Sequence, residues 1–274
     1  MQRASGENYS RVKGLVNRNH LHTICTSGNC PNIGECWNAG TATFMILGDI
    51  CTRACKFCAT STGKPDPPDP DEPNRLAISI RELGIKHCVI TSVDRDDLKD
   101  GGAGFWAETV RTVKAVNPGI TVETLIPDFD GKPEFIQLVI DASPDVISHN
   151  METVRRLTPV IRTKAKYDRS LSVLKCISGK NTVAKSGFMV GLGETEEEVF
   201  ETITDIRGAG CDIITIGQYL QPEIGFMEPV EYIEPARFVK YRDFALEAGF
   251  KEAECSPLVR SSFHAERHIL KAEK

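Results

Sequence analysis

The sequence has no apolar run long enough to span a bilayer, and no apolar segment near Met1 of the kind that directs export. A soluble protein of the cytoplasm, without membrane association, is the expectation. Any long block of like charge is also missing: 33 Lys and Arg stand against 38 Asp and Glu, a formal net charge of −5. That balance argues against a nucleic-acid or polyanion partner. Repeats and low-complexity tracts are absent apart from residues 64–73, with Pro65, Pro67, Pro68, Pro70 and Pro73. Those prolines predict an extended loop rather than a helix. Residues 1–20 are polar and basic enough to be mobile without a partner. The 274 residues, 41% hydrophobic, suffice for a buried core of single α/β-barrel size.

Cysteine is abundant. Ten are present, and six fall between Cys25 and Cys58, while Cys88, Cys176, Cys211 and Cys255 stand alone as small core residues. Without an export signal a disulfide framework is not expected, and tight clustering points to metal. Cys51, Cys55 and Cys58 fall within eight residues. A tetrahedral zinc site would want a fourth Cys or His close by, and none follows in the next twenty residues. Three thiolates can instead hold a four-iron cluster with one iron open to a small molecule. Upstream, Cys25, Cys30 and Cys36 have a different spacing, and Gly28, Asn29, Pro31 and Gly34 between them supply turn chemistry.

Short apolar, β-rich runs at 43–47, 88–93, 121–126, 146–148, 187–191 and 213–218 read as strands. Helical patterns lie between them. Thr195 to Glu198 reads as a capping box before the stripe Val199, Ile203, Ile206. Further helices are predicted over 105–116, over 168–177 with Asp168 as N-cap, and over 236–248. Strands alternating with helices imply a parallel sheet, either a partial barrel or a doubly wound sheet. In both, reactive groups gather at the C-terminal strand ends, where the second cysteine triplet falls.

The Cys-x3-Cys-x2-Cys segment, with Phe57 before its last cysteine, resembles the radical S-adenosylmethionine (SAM) superfamily. Within it, the Cys-x4-Cys-x5-Cys segment with Pro31-Asn-Ile-Gly-Glu-Cys36-Trp37 is similar to the lipoyl synthase family. So are Thr91 to Leu98 with Asp100 to Ala103, His149 to Val154, Lys185 to Thr195, and Arg260 to Phe263. The resemblance implies an α/β fold, a partial (β/α)6 TIM-type barrel. It spans one radical SAM domain over 1–274: an N-terminal extension (1–41), a barrel core (42–250) and a C-terminal extension (251–274).

The family implies a sulfurtransferase that uses SAM and two 4Fe-4S clusters. It inserts sulfur at C6 and C8 of an octanoyl group amide-linked to a carrier-protein lysine. Cys51, Cys55 and Cys58 would hold the SAM-binding cluster. Cys25, Cys30 and Cys36, with Ser262 as a distant fourth ligand, would hold an auxiliary cluster spent as sulfur donor. Phe57, Asn150, Glu152 and Glu194 are candidate SAM contacts, Asp94 to Asp97 a charged rim, and Arg169 and Arg260 anion-positioning groups. Implied partners are an octanoylated carrier such as glycine cleavage H protein or an E2 domain, a reductant such as flavodoxin or ferredoxin, and an iron–sulfur carrier. Phe263 stands where the family has tyrosine, and Ser256 where glycine is usual. Another sulfur-inserting radical SAM enzyme and a two-cluster electron carrier are the rival readings.

Overall fold

The computed structural model describes residues 5–263 and Ala265. They begin with helix α1 (Glu7–Arg18), which corrects the expectation of a mobile N-terminal segment. One face of α1 buries Val12, Leu15 and Val16, and Tyr9 packs on Trp37 with ring centroids 5.1 Å apart. Strand β1 (His22–Thr23) and helices α2 (Ile24–Ser27) and α3 (Ile33–Asn38) follow, then β2 (Thr43–Ile46) and the short pair β3 (Ile50–Cys51) and β4 (Ser61–Thr62).

The remainder alternates: α4 (Glu72–Leu83), β5 (His87–Ser92), α5 (Ala103–Val116), β6 (Thr121–Leu125), α6 (Pro133–Asp141) and β7 (Val146–Ser148). After β7 come α7 (Thr158–Ile161), α8 (Tyr167–Ile177), β8 (Val183–Val190) and α9 (Glu196–Gly208). The succession ends with β9 (Ile213–Gln218), α10 (Pro235–Glu247) and β10 (Glu252–Ser256).

The main sheet runs β1-β2-β5-β6-β7-β8-β9-β10. Only β1 is antiparallel, and all later neighbours pair in parallel. Parallel strands adjacent in space in the order they occur in sequence wind in one direction, as in a partial TIM-type barrel; a doubly wound sheet would reverse. The six predicted strands are β2 and β5 to β9. The sheet adds β10 beyond β9, so residues 252–256 belong to it; most of the segment after 263 lies outside the described residues.

Several boundaries differ for physical reasons. The proline stretch does not run as a loop to Pro73: α4 starts at Glu72 with Pro73 in its first turn, where a missing N–H costs nothing. Leu76, Ala77, Ile80 and Leu83 then face the core, and Gly84, at φ 68°, ends the helix. Helix α8 is capped at Lys166, so Asp168 sits inside the first turn rather than at the N-cap. Strand β8 starts at Val183, four residues before the predicted start. The Thr195–Glu198 capping box forms as read, with Glu198 N donating to Thr195 Oγ1 and Thr195 N to Glu198 Oε2.

Candidate active site

At the C-terminal strand ends lies a cavity of about 560 Å³, within the range of small-molecule sites. Cys51, Cys55 and Cys58 line it, and so do Cys25, Cys30 and Ser262. Two cysteine segments and a serine 226 or more residues beyond Cys36 thus share one space. Cys36 does not line it; it sits on α3, half-buried against the core. Among the described residues no three His, Cys, Asp or Glu side chains close on a single ion; the thiols are spread around the cavity.

The loop carrying Cys51 to Cys58 is strapped down at several points. At its base, Leu47 adopts φ 68°, a left-handed conformation that costs energy unless held. Its N–H donates to the buried Glu72 carboxylate at 2.8 Å, and its carbonyl accepts from Arg95 at 3.3 Å. Arg53, inside the triplet and buried, grips both oxygens of Asp96 at 2.8 Å each and Asp128 Oδ1 at 2.8 Å. Its remaining terminal nitrogen lies 3.2 Å from Asp94. Burial works against the Asp128 charge, yet Arg53 holds its carboxyl well below the usual range. On the other side Lys56 N donates to the Ile161 carbonyl at 2.9 Å. A loop fixed this way presents its thiols without first paying for order.

The backbone N–H groups of Arg53 and Asp94 point at Cys51 Sγ from 3.4 and 3.3 Å, a setting that favours thiolate bound to metal. Without metal the Cys51 and Cys55 thiols hold their protons. Burial, then the Asp94 charge, pushes Cys51 and Cys55 up to about 11, with Arg162 partly relieving Cys55. Burial also raises Cys25 and Cys30, the latter opposed by the backbone of Asn32 and by Arg260. Metal binding here must therefore expel protons. The donor set, cavity-facing thiols with N–H support, fits iron–sulfur ligation.

Phe57, Asn150 and Glu152 reach the cavity. Phe57 packs against the small apolar cluster of Ile161, Leu192 and Tyr219. Among the described residues the Asn150 side-chain oxygen is buried without a partner, while its NH₂ lies 3.4 Å from Ser261 Oγ. Glu152 is held at φ 65° in a bridge to Phe188, and burial raises its carboxyl against the pull of Arg162. Glu194 lies away from the cavity lining; its carboxylate instead accepts from the N–H groups of Gly191 and Leu192 at 2.5 and 2.9 Å, bracing the turn after β8. Asp94 lines the cavity, whereas Arg95, Asp96 and Asp97 line a smaller charged one beside it. Arg169 is taken up by Asp128 and Asp130, at 3.3 and 2.8 Å. Arg260 lines the cavity beside Cys30. Ser256 ends β10 opposite Gly217.

Sequence reasoning passed over Arg162 and its support. Arg162 lines the cavity at 8% exposure and donates to the Met151 carbonyl and to Ser170 Oγ. Ser170 in turn meets His149 Nε2 at 2.9 Å, and His149 Nδ1 meets the Ile126 carbonyl at 2.9 Å. A carbonyl only accepts, so Nδ1 carries the proton and Nε2 accepts from the Ser170 hydroxyl. No local sequence pattern marks this relay, because its members come from three separate segments.

The model of the radical SAM superfamily matches residues 45–206, more than half the chain. The chain is 59% identical over 263 residues to the lipoyl synthase of Parabacteroides distasonis, covering 96% of this chain and 94% of that one. It is 56% identical to the lipoyl synthase of Flavobacterium johnsoniae, covering 97% and 92%. This chain belongs to the lipoyl synthase family. Among solved structures, Streptococcus suis SuiB bound to S-adenosylmethionine is similar at TM-score 0.60 and 9% identity, over 92% of this chain and 56% of that one. Methylornithine synthase is similar at TM-score 0.56 and 12% identity, over 89% and 81%. At those identities the likeness concerns the barrel alone. For a lipoyl synthase the placement of both cysteine segments on one cavity is the feature of interest.

Proposed function

We propose that the chain inserts two sulfur atoms, at C6 and C8, into an octanoyl group amide-linked to a lysine of a lipoyl carrier protein or domain. The observation that carries this reading is the single cavity shared by Cys25, Cys30, Ser262 and the Cys51–Cys58 loop. Cys51, Cys55 and Cys58 hold a 4Fe-4S cluster that, when bound, supplies the electron for reductive cleavage of SAM and so the radical that removes hydrogen from carbon. Cys25, Cys30, Cys36 and Ser262 hold a second cluster that is the sulfur substrate. A hard serine oxygen among soft thiolates suits a cluster meant to be taken apart.

The chain's own residues do the positioning. Arg53, with Asp94, Asp96 and Asp128, fixes the cysteine loop. Phe57, Asn150 and Glu152 contact SAM. Met45, Leu125, Met189 and Leu220 offer apolar wall to the acyl chain, worth about 0.8 kcal/mol per buried methylene. Excluding water there protects a carbon radical from side reactions. A reductant such as flavodoxin or ferredoxin, and an iron–sulfur carrier that rebuilds the spent cluster, complete the system. Ten free thiols suit the reducing cytoplasm. Within this arrangement, 42–250 is the barrel core, flanked by extensions over 1–41 and 251–274.

Mass spectrometry of an octanoyl-lysine peptide, after anaerobic incubation with SAM and reductant, tests the reading. Two added sulfur atoms and two 5′-deoxyadenosines per product are expected. Cys30→Ala should keep SAM cleavage and lose sulfur insertion, whereas Cys55→Ala should lose both. Sulfur insertion by Cys30→Ala would remove the sacrificial role from this site.

A further inference from the structure

Among the described residues, the three large apolar side chains that stand furthest into water fall close together in sequence. Ile224 is 99% exposed, Val230 71% and Tyr232 70%, against 56% for the next, Val160. All three belong to the loop 219–234 that joins β9 to α10. Exposed apolar groups scattered singly are ordinary, but three within nine residues of one loop mark a surface for a partner.

The loop is held in a way that keeps these groups outside. Tyr219 Oη donates to the Met227 carbonyl and Gln221 Nε2 to the Phe226 carbonyl, both at 2.7 Å. Val230 N donates to the Gly191 carbonyl at 2.8 Å, and Gln218 Nε2 to the Glu231 carbonyl at 2.9 Å. Nearer its start, the Pro222 carbonyl accepts from Asn29 Nδ2 at 3.4 Å. A backbone fixed at both ends presents its side chains with little further ordering to be done on contact.

The loop's position says what covers it. Its first four residues, Tyr219 to Pro222, line the catalytic cavity, so Ile224 stands two residues beyond the cavity wall. A substrate borne on a protein must bring that protein to this mouth, whereas a second copy of the chain seated here would obstruct it. Glu223, Glu228, Glu231 and Glu234 are exposed among the apolar groups, and no Lys or Arg lies between 219 and 236. Like charges set face to face are penalised, so the covering face is apolar with neutral or basic groups at its edge. We propose that the loop 219–234 docks the octanoylated carrier domain, with Ile224, Val230 and Tyr232 as its apolar contacts. This rests on the reading given under the proposed function and adds the surface that recognises the carrier.

The test gives cluster-loaded wild type and the double variant Ile224→Ser, Tyr232→Ser two substrates. One is an octanoyl-lysine peptide, which has no surface for the loop to meet. The other is the octanoylated carrier, glycine cleavage H protein or an E2 domain, that wild type turns over with the larger kcat/KM. Wild type should favour the carrier over the peptide. The double variant should lose at least about 10-fold in kcat/KM on the carrier, mainly through KM, and stay within about twofold on the peptide. No loss on the carrier, or equal losses on both substrates, overturns the proposal. The free proteins report on other occupants: the variant should match wild type in melting temperature and in mass by light scattering. A drop of several degrees would show that another part of this chain covers the loop, and a smaller mass that a second copy does; either result overturns the assignment. Wild type that adds sulfur to neither substrate would instead sink the functional reading, so the two failures are distinct.

Discussion

His149 shows how much a single buried side chain can commit. Its ring is 2% exposed, and burial, then the nearby Arg162 charge, lowers its pKa from 6.5 to about 4. The unfolded chain therefore binds a proton on this ring in a pH window where the folded one does not. The resulting stability, on the order of 3 kcal/mol, is fully present above pH 6.5 and is lost as pH falls toward 4. Asp94 slopes the other way over much of that window, since burial raises its pKa from 3.8 to about 6. Wild-type stability alone would mask the effect, so the comparison is with His149→Gln. In urea melts of metal-free protein, the gap between the two should be widest at pH 7 and narrow steadily to pH 5. A gap that stays constant would show that His149 does not titrate as its surroundings dictate. Charged residues such as Arg162, His149 and Arg53 were the least legible in the sequence. Their roles follow from which neighbours burial gives them, and those neighbours are 8 to 75 positions away.

Elements were far more legible. Strands β2, β5, β6, β7 and β9 stood out because runs such as Cys88-Val-Ile-Thr-Ser92 are apolar and β-branched between helical stretches. Helix α9 announced itself through its capping box, and Thr195→Ala should cost about 1 kcal/mol in a denaturant melt. Strand β10 was hidden because Glu252-Ala-Glu-Cys-Ser256 is mostly polar; it is an edge strand, with β9 on one side only. Its packing explains Gly217 on β9. A Cβ there would lie 2.1 Å from the Val259 carbonyl oxygen, in the turn leading to Ser262. Gly217→Ala should displace that turn and leave the Cys51–Cys58 loop alone. Iron analysis of reconstituted protein should then drop from two clusters toward one, with SAM cleavage retained; two full clusters would contradict the coupling.

On the scale of the whole molecule, the described residues before β2 and after β9 pack into the same core as the barrel. Helix α1 was illegible because its composition is polar, and only the spacing of Val12, Leu15 and Val16 gives it a buried side. Arg11 also donates to the Leu83 carbonyl at the end of α4. Removal of residues 1–20 should therefore lower thermal stability by several degrees rather than leave it unchanged. Among the described residues the sheet does not close on itself: β1 and β10 are its outer strands. Just past these edges, Asn32 Nδ2 reaches the Leu258 carbonyl at 2.8 Å, joining positions 226 apart in sequence. Where a closed barrel would have a continuous ladder of backbone bonds, this one has the Asn32 side chain as a fastening, with Cys25, Cys30 and Ser262 on the cavity nearby. Local opening at such a fastening costs far less than unfolding the barrel. If Cys25, Cys30 and Ser262 hold the spent cluster as proposed, the part to be replaced after each product sits at the seam, where it can be exchanged while the rest of the molecule stays folded.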